Sequence, residues 1–299
     1  MPALMRRQDP SAAVSRSNSP SGNRASLDAS PAIAARSGMR AAALHIWRAQ
    51  WFVVIRAFAV FIALWGLAAY LVASPLQLPS PGKVFSAMVG LAEKGELLSH
   101  TLISASRLAV ALGVATVIAV PLGFAMALSR ELNAYIDPIV ELLRPISGIA
   151  WIPLGLFIFG VGGTLPVFIM AYVAFFPLLL NTVDGVRGID RKLLAAAETM
   201  GVGPRARMLH VVLPASMPSV MVGFRIAFAS AWAAIIAAEL IGSPSGLGFA
   251  IEWYRQLLMS PKVFSFIVLI GAVGYLCDLV LRALQRKLTP WSEGMGIGA

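Results

Sequence analysis

The chain has 299 residues, of which 58% are hydrophobic and 13% charged, and its mean hydropathy is +0.79. That balance excludes a soluble domain of ordinary composition, and the charges gather at the ends of apolar runs, as in a polytopic helical membrane protein. The net charge of +10 fits basic residues collected on cytoplasmic loops and calls for no nucleic acid, while the lone Cys277 excludes an intrachain disulfide or a cysteine metal site.

Residues 1–45 are rich in Ser, Ala, Pro and Arg, with few large apolar side chains to offset the entropy of ordering. They are expected to form a disordered cytoplasmic tail, with RNA or lipid binding the weighed alternative. No compact apolar core with a small-residue cleavage site follows Arg6-Arg7, so a secretory signal peptide is not expected. Residues 46–299 are expected to form one all-α membrane domain.

A first span is predicted over residues 52–73, preceded by Trp47 and Trp51, whose indoles suit the interface, and carrying Arg56, which can snorkel. After the turn Leu76-Gln77-Leu78-Pro79-Ser80-Pro81, residues 84–98 read as a short amphipathic surface helix. A second span covers residues 103–128, with Arg107 near its outer end and Pro121 inside, where membrane helices tolerate proline. Residues 129–136 read as a polar connector.

Asp137-Pro138, Arg144-Pro145 and Ala150-Trp151-Ile152-Pro153-Leu154 then place prolines within a short apolar segment, which implies a broken helix. Broken backbone at membrane depth is tolerated where protein covers it or a wet cavity borders it. Trp151 and Pro153 are therefore candidates for the wall of a transport path; a kinked packing helix is the competing reading.

A fourth span covers residues 165–180, and residues 181–192 are polar and basic. Next come Leu193-Leu194-Ala195-Ala196-Ala197-Glu198-Thr199-Met200-Gly201 and Val202-Gly203-Pro204-Arg205-Ala206-Arg207 through Leu213-Pro214. Leu193, Ala196, Ala197 and Met200 share a helical face, Gly201 is placed to end that helix, and Pro204 suits the first position of another. Pro214 is expected to end the second short helix by restricting Leu213. The whole loop, about residues 185–216, is the one polar, basic interruption between apolar spans.

A fifth span starts at Ser216-Met217-Pro218, with Ser216 as a candidate cap; it holds Arg225 and ends near Glu239. Arg225 either attracts an anionic substrate along a path or anchors the helix by snorkelling. Gly246 and Gly248 lack the Lys-Ser/Thr of a phosphate loop. Residues 251–259 read as a short surface helix, and a sixth span covers residues 263–284, with Asp278 and Arg282 four apart on one face, where they can pair. The three histidines, His45, His100 and His210, are far apart, so no metal site, catalytic residue or cofactor motif is expected.

Ala196, Ala197, Gly201, Val211, Leu213 and Pro214 fall in register with the Glu-Ala-Ala…Gly…Ile-x-Leu-Pro loop of binding-protein-dependent ABC importer permeases. Ala195 stands where that family most often has Glu. Leu78-Pro79-Ser80-Pro81, the Asp137 to Gly163 block, Gly223-Phe224-Arg225, Ala238-Glu239-Leu240, Gly246-Leu247-Gly248 and the tail Arg282 to Trp291 resemble the sulfonate, taurine and nitrate branch. The resemblance implies a type I ABC importer permease of about six transmembrane helices, a transport subunit without ATPase chemistry of its own. It implies a coupling loop (Ala195, Ala196, Ala197, Gly201, Arg205, Arg207, Leu213, Pro214) that docks on cytoplasmic ATP-binding cassette subunits. It further implies a second permease copy, a periplasmic or lipid-anchored substrate-binding protein, and a path for taurine, an alkanesulfonate, nitrate or bicarbonate. Candidate path residues are Trp151, Pro153, Arg225 and Glu239.

The basic bias sets both termini and the coupling loop on the cytoplasmic face of the inner membrane. An ATP-independent secondary transporter fits less well, because the deep positions are nearly all apolar, Asp278 being the main exception, and no repeat of halves is visible. No cluster of Asp, His or Ser at depth supports a membrane-embedded enzyme.

Overall fold

The computed structural model describes residues Gln50–Pro290, with side chains from Phe52 onward, so the expected N-terminal tail, Trp47 and Trp291 lie outside the described residues. The chain divides into two units, Met1–Val60 and Phe61–Ala299. Of the first, only the beginning of helix α1 (Gln50–Val72) is described; there Arg56 Nε donates to the Phe52 carbonyl one turn back.

The second unit holds the rest of α1 and then α2 (Pro81–Glu93), α3 (Glu96–Leu128), α4 (Arg130–Leu143), a 3-10 turn (Gly148–Trp151), α5 (Ile152–Phe159) and α6 (Thr164–Arg187). It continues with α7 (Arg191–Thr199), α8 (Pro204–Arg207), a π-helical turn (Met208–Val212), α9 (Leu213–Gly242), α10 (Leu247–Gln256) and α11 (Ser260–Leu288). All regular structure among the described residues is helical.

Five segments are long and apolar enough to cross a membrane, or six when the pair α4 and Gly148–Phe159, bent by 87°, counts as one span. Tethers show that the bent pair runs the length of the bundle. Its start, Ser129, adjoins the end of α3, whereas Gly162 N–H donates to the Gly242 carbonyl (2.9 Å) at the end of α9, and Gly163 lies against the Arg107 guanidinium. The segment thus carries the chain from one end of the bundle to the other. The break follows from sequence: Pro145 follows Arg144 and cannot bond back to α4, and the chain restarts at Pro153 in the first turn of α5.

The core lies among α3, α6 and α9, filled by Leu112, Ala115, Ala119, Met170, Leu178, Leu179, Ala227, Ala231 and Ile235. Small residues let these backbones approach. A methyl on Gly223 would meet Asn181 Cβ at 2.6 Å, one on Gly185 would meet Ser219 Cβ at 2.6 Å, and one on Gly123 would meet Thr182 Cβ at 2.8 Å. In lipid, where helices gain little from hydrophobicity alone, such close packing is a main source of association. These pairings make α6 and α9 antiparallel, and α3 parallel to α6. The helix α11 closes on α9 through Trp232, whose Nε1 donates to the Ile270 carbonyl (3.3 Å), and on α2 through Ser265, whose Oγ donates to the Val84 carbonyl (3.0 Å).

Several boundaries differ from the sequence expectations. Residues 130–136 are helix, not connector: Ser129 Oγ accepts from Leu132 N–H (3.2 Å) and caps α4. The surface helix expected over residues 84–98 ends at Glu93, because Gly95 takes φ +72° and α3 starts at Glu96; it also buries Val84 and Leu91. The fourth span continues past Asn181 to Arg187, with Pro177 carried inside the helix and Asn181 Nδ2 donating to the Pro177 carbonyl one turn back (2.8 Å). Pro214 does not end its helix. The missing proline N–H is absorbed by the π turn just before it, where Leu213 N–H reaches back to the Met208 carbonyl, and the helix runs on into α9. Ser216 accordingly sits inside α9, bonded to the Leu213 carbonyl, and caps nothing. Residues 251–259 do not form a surface helix: α10 begins at Leu247 and buries Leu247, Ala250, Ile251 and Tyr254 against α2 and α11 residues, including Leu91 and Phe266.

Candidate functional sites

Three places in the fold carry polar groups that packing alone does not require: an exposed loop at one end, a buried ionic cluster near the other, and a groove along α9 between them.

The loop is α7, Gly201 and α8. Asp190 caps α7 by accepting from Lys192 N–H (2.8 Å). Gly201 takes φ +69°, and the C-terminal bonds Gly201 N–H to Glu198 and Val202 N–H to Ala197 (3.1 Å) close the helix end. Arg207 reaches back across the break to pair with Glu198. Within α7 only Ala197 is buried; Ala195, Ala196 and Leu193 face outward, and Met200 is 81% exposed. Arg205, Gly201 and Leu213 are exposed as well, while Pro214 lines a cleft of about 560 Å3 behind the loop, with Leu193, His210 and Val211. Of the loop residues singled out from sequence, Ala195, Ala196, Gly201 and Arg205 face outward on α7 and α8, whereas Ala197 is buried and Leu213 and Pro214 open α9.

At the opposite end, the fully buried Glu239 of α9 holds α3 and the α9–α10 turn together. Its carboxylate accepts from Ser104 Oγ (2.7 and 2.9 Å), Arg107 Nη1 (2.9 Å) and Gly248 N–H (3.0 Å). Arg107 also donates to the Ser245 carbonyl (2.7 Å) and to Ser245 Oγ (2.8 Å), and Leu247 N–H donates to Ser104 Oγ (2.8 Å). Gly246, at φ +109°, is required here: a Cβ would overlap the Glu239 carboxylate. No buried side-chain nitrogen or oxygen of this cluster lacks a hydrogen-bond partner, as a charge out of water demands. The sequence places Arg107 near the outer end of its span but does not show its pairing, because partners more than a hundred positions apart leave no local signal. Beside the cluster, Gly246 N–H donates to His100 Nδ1 (3.3 Å), and Tyr254 donates to Glu96. Burial, reinforced by that Glu96 carboxylate, pushes the Tyr254 phenol up to about 12.

The groove follows one face of α9. A cavity of about 780 Å3 lies between Arg144–Ile149, α6 and α9, and a second of about 640 Å3 lies between α9 and α11. Ile226, Ser230 and Ala233 line both. Arg225 lines the second cavity and pairs with Asp278 (Nε–Oδ1 2.6 Å), which also pairs with Arg282 (2.7 Å). Of the other path candidates, Trp151 is half-buried against Tyr172, a residue lining the first cavity, at 5.6 Å between ring centroids; Pro153 is exposed beside it; Glu239 is sealed in the cluster above.

The chain was compared with known proteins. Residues 119–290 match the family described as binding-protein-dependent transport system inner membrane component. The chain is 36% identical over 242 residues to a putative ABC transporter permease protein of Methanocaldococcus jannaschii, covering 79% of this chain and 91% of that one. It is 34% identical over 239 residues to the taurine transport system permease protein TauC of Escherichia coli, covering 78% and 87%. It is 36% identical over 196 residues to the bicarbonate transport system permease protein CmpB of Synechococcus elongatus, covering 65% and 70%. Among solved structures, an inward-facing form of the MetNI methionine ABC transporter shares the fold, with a TM-score of 0.57 and 19% identity over 64% of this chain and 94% of that one. The chain therefore belongs to the family of binding-protein-dependent ABC transporter permeases, as a multi-pass inner membrane transport component and not an enzyme.

Proposed function

We propose that this chain is the membrane half of an ATP-driven importer for a small organosulfonate such as taurine, and that the α7–Gly201–α8 loop is where ATPase subunits act on it. The observation that carries this reading is the loop's form. It is short, internally braced by the Glu198–Arg207 pair, and presents small alanines beside an exposed Met200, which suits docking into a partner's groove. The π turn and α9 then link it without interruption to the Glu239 cluster, so a push on the loop is transmitted along one rod.

In this reading the loop and both termini are cytoplasmic, in accord with the basic residues between Arg187 and Arg207 and at Arg286 and Lys287. A second copy of the chain encloses a path along the α9 groove, where Trp151, Pro153 and Arg225 are wall candidates and Glu239 holds the far end shut. A periplasmic or lipid-anchored binding protein delivers substrate. The taurine permease among the relatives supports the organosulfonate class. A second reading, bicarbonate, rests on the 36% identity to the cyanobacterial protein.

A strain lacking this chain is the test. On the organosulfonate reading it loses growth on taurine or alkanesulfonates as sole sulfur source and keeps growth on sulfate. Normal growth on every sulfonate, together with lost bicarbonate uptake, moves the assignment to the second reading.

A further inference from the structure

We propose that Arg225 is a transit contact for the anionic group of the substrate, with Asp278 as the resident counter-ion that the passing anion displaces. The proposal rests on the importer reading above.

Asp278 accepts from two guanidiniums at once: Arg225 on α9 (2.6 and 3.4 Å) and Arg282 on its own helix (2.7 and 2.8 Å). Two cations against one carboxylate leave one positive charge in excess, and among the described residues Arg225 and Asp278 are the charged side chains that line this cavity. A helix-bracing bridge needs only one cation per acid, as at Arg107 and Glu239, which are 12% and 0% exposed. Here the Arg225 side chain is 37% exposed, opens onto the cavity with Ser230 and Gln285, and keeps Nη1 without an acceptor among the described residues.

The exchange is inexpensive because it is like for like. A sulfonate or carboxylate takes over the Nε and Nη2 positions that Asp278 vacates, in the two-point geometry that a guanidinium offers such groups. Asp278 meanwhile remains paired to Arg282, so no buried charge is stranded. Partial exposure keeps each bond modest, which suits a contact that must release what it holds. Ile226, Ser230 and Ala233 continue from this cavity into the larger one, so the contact lies on a continuous face and not in a dead end.

The test uses the full complex, permease with its ATPase and binding protein, in proteoliposomes, with radiolabelled methanesulfonate as probe. Arg225→Gln is expected to lower uptake at saturating binding protein by about tenfold, the loss of one charge-assisted contact, and Arg225→Lys to recover part of it. Arg225→Gln leaves Asp278 paired with Arg282, and the triple variant Arg225→Gln/Asp278→Asn/Arg282→Gln, which removes all three charges, is expected to stay as low as the single one. Complex yield and thermal midpoint should remain near parental in all three. Parental uptake in Arg225→Gln, or recovery in the triple variant, would mark the pair as a structural bridge and overturn the proposal. If the parental complex takes up bicarbonate and not methanesulfonate, the organosulfonate reading fails, and the same variant series read with bicarbonate still decides the role of Arg225.

Discussion

Arg107 and Glu239, separated by 132 positions in the chain, meet at 2.9 Å with the acid fully buried, and through them α3, α9 and the turn before α10 are held as one piece. Removing one partner of a buried pair strands the other charge. Arg107→Ala is therefore expected to destabilise the protein by about 3–5 kcal/mol. Glu239→Gln, which keeps the shape and some of the hydrogen bonds, should cost clearly less. Thermal unfolding of the two variants in the same detergent gives the order; equal stability of Arg107→Ala and parent would refute a load on this pair.

Gly246 is fixed by the same carboxylate. Its φ of +109° and the overlap that a Cβ would make with Glu239 predict that Gly246→Ala is destabilising by about 1–3 kcal/mol. Shortening the acid opens that space, so Gly246→Ala should cost less in a Glu239→Ala background than in the parent. A double-mutant cycle measures the difference, and strict additivity would argue against the clash.

Gly201 differs in having open space around it and only its φ of +69° to satisfy. Replacing it costs about 1 kcal/mol, small beside the stability of the packed helices, and Asn should be tolerated better than Val. Gly201→Asp and Ala196→Glu are expected to reach the membrane at near-normal levels yet lose ATPase association and substrate uptake, because they place charge on the outward face of the loop. Co-purification with the ATPase reads the outcome; normal association of both variants would remove the coupling role assigned here.

Topology provides a check independent of partners. Reporter fusions after Lys192 should report cytoplasm, and fusions near Lys94 and Tyr254 the opposite side. Since the bent α4–α5 segment is what makes the number of crossings even, a fusion at Gly162 should also report the side opposite to Lys192. A cytoplasmic signal at Gly162 would make the segment re-entrant.

The sequence by itself determined the class of the protein, the positions of the apolar spans, and the break at Gly201 and Pro204, because hydropathy, glycine and proline act on a few neighbouring residues. It also showed that the backbone between Arg144 and Pro153 is broken. It did not show where Pro214 leaves the chain: a proline stops a helix in isolation, but a widened turn at Met208–Val212 carries this one through. Nor did it reveal that α10 is packed, since Leu247, Ile251 and Tyr254 read as surface until Leu91 and Phe266 are brought against them. Asp278 is the clearest case. Its spacing from Arg282 made the local pair legible, but its second bond, to Arg225 on another helix, exists only because α9 and α11 pack antiparallel. Coulombic partners are chosen by proximity in space, and for Arg107, Glu239, Arg225 and Asp278 that proximity is a property of helix packing, which no local run of residues encodes.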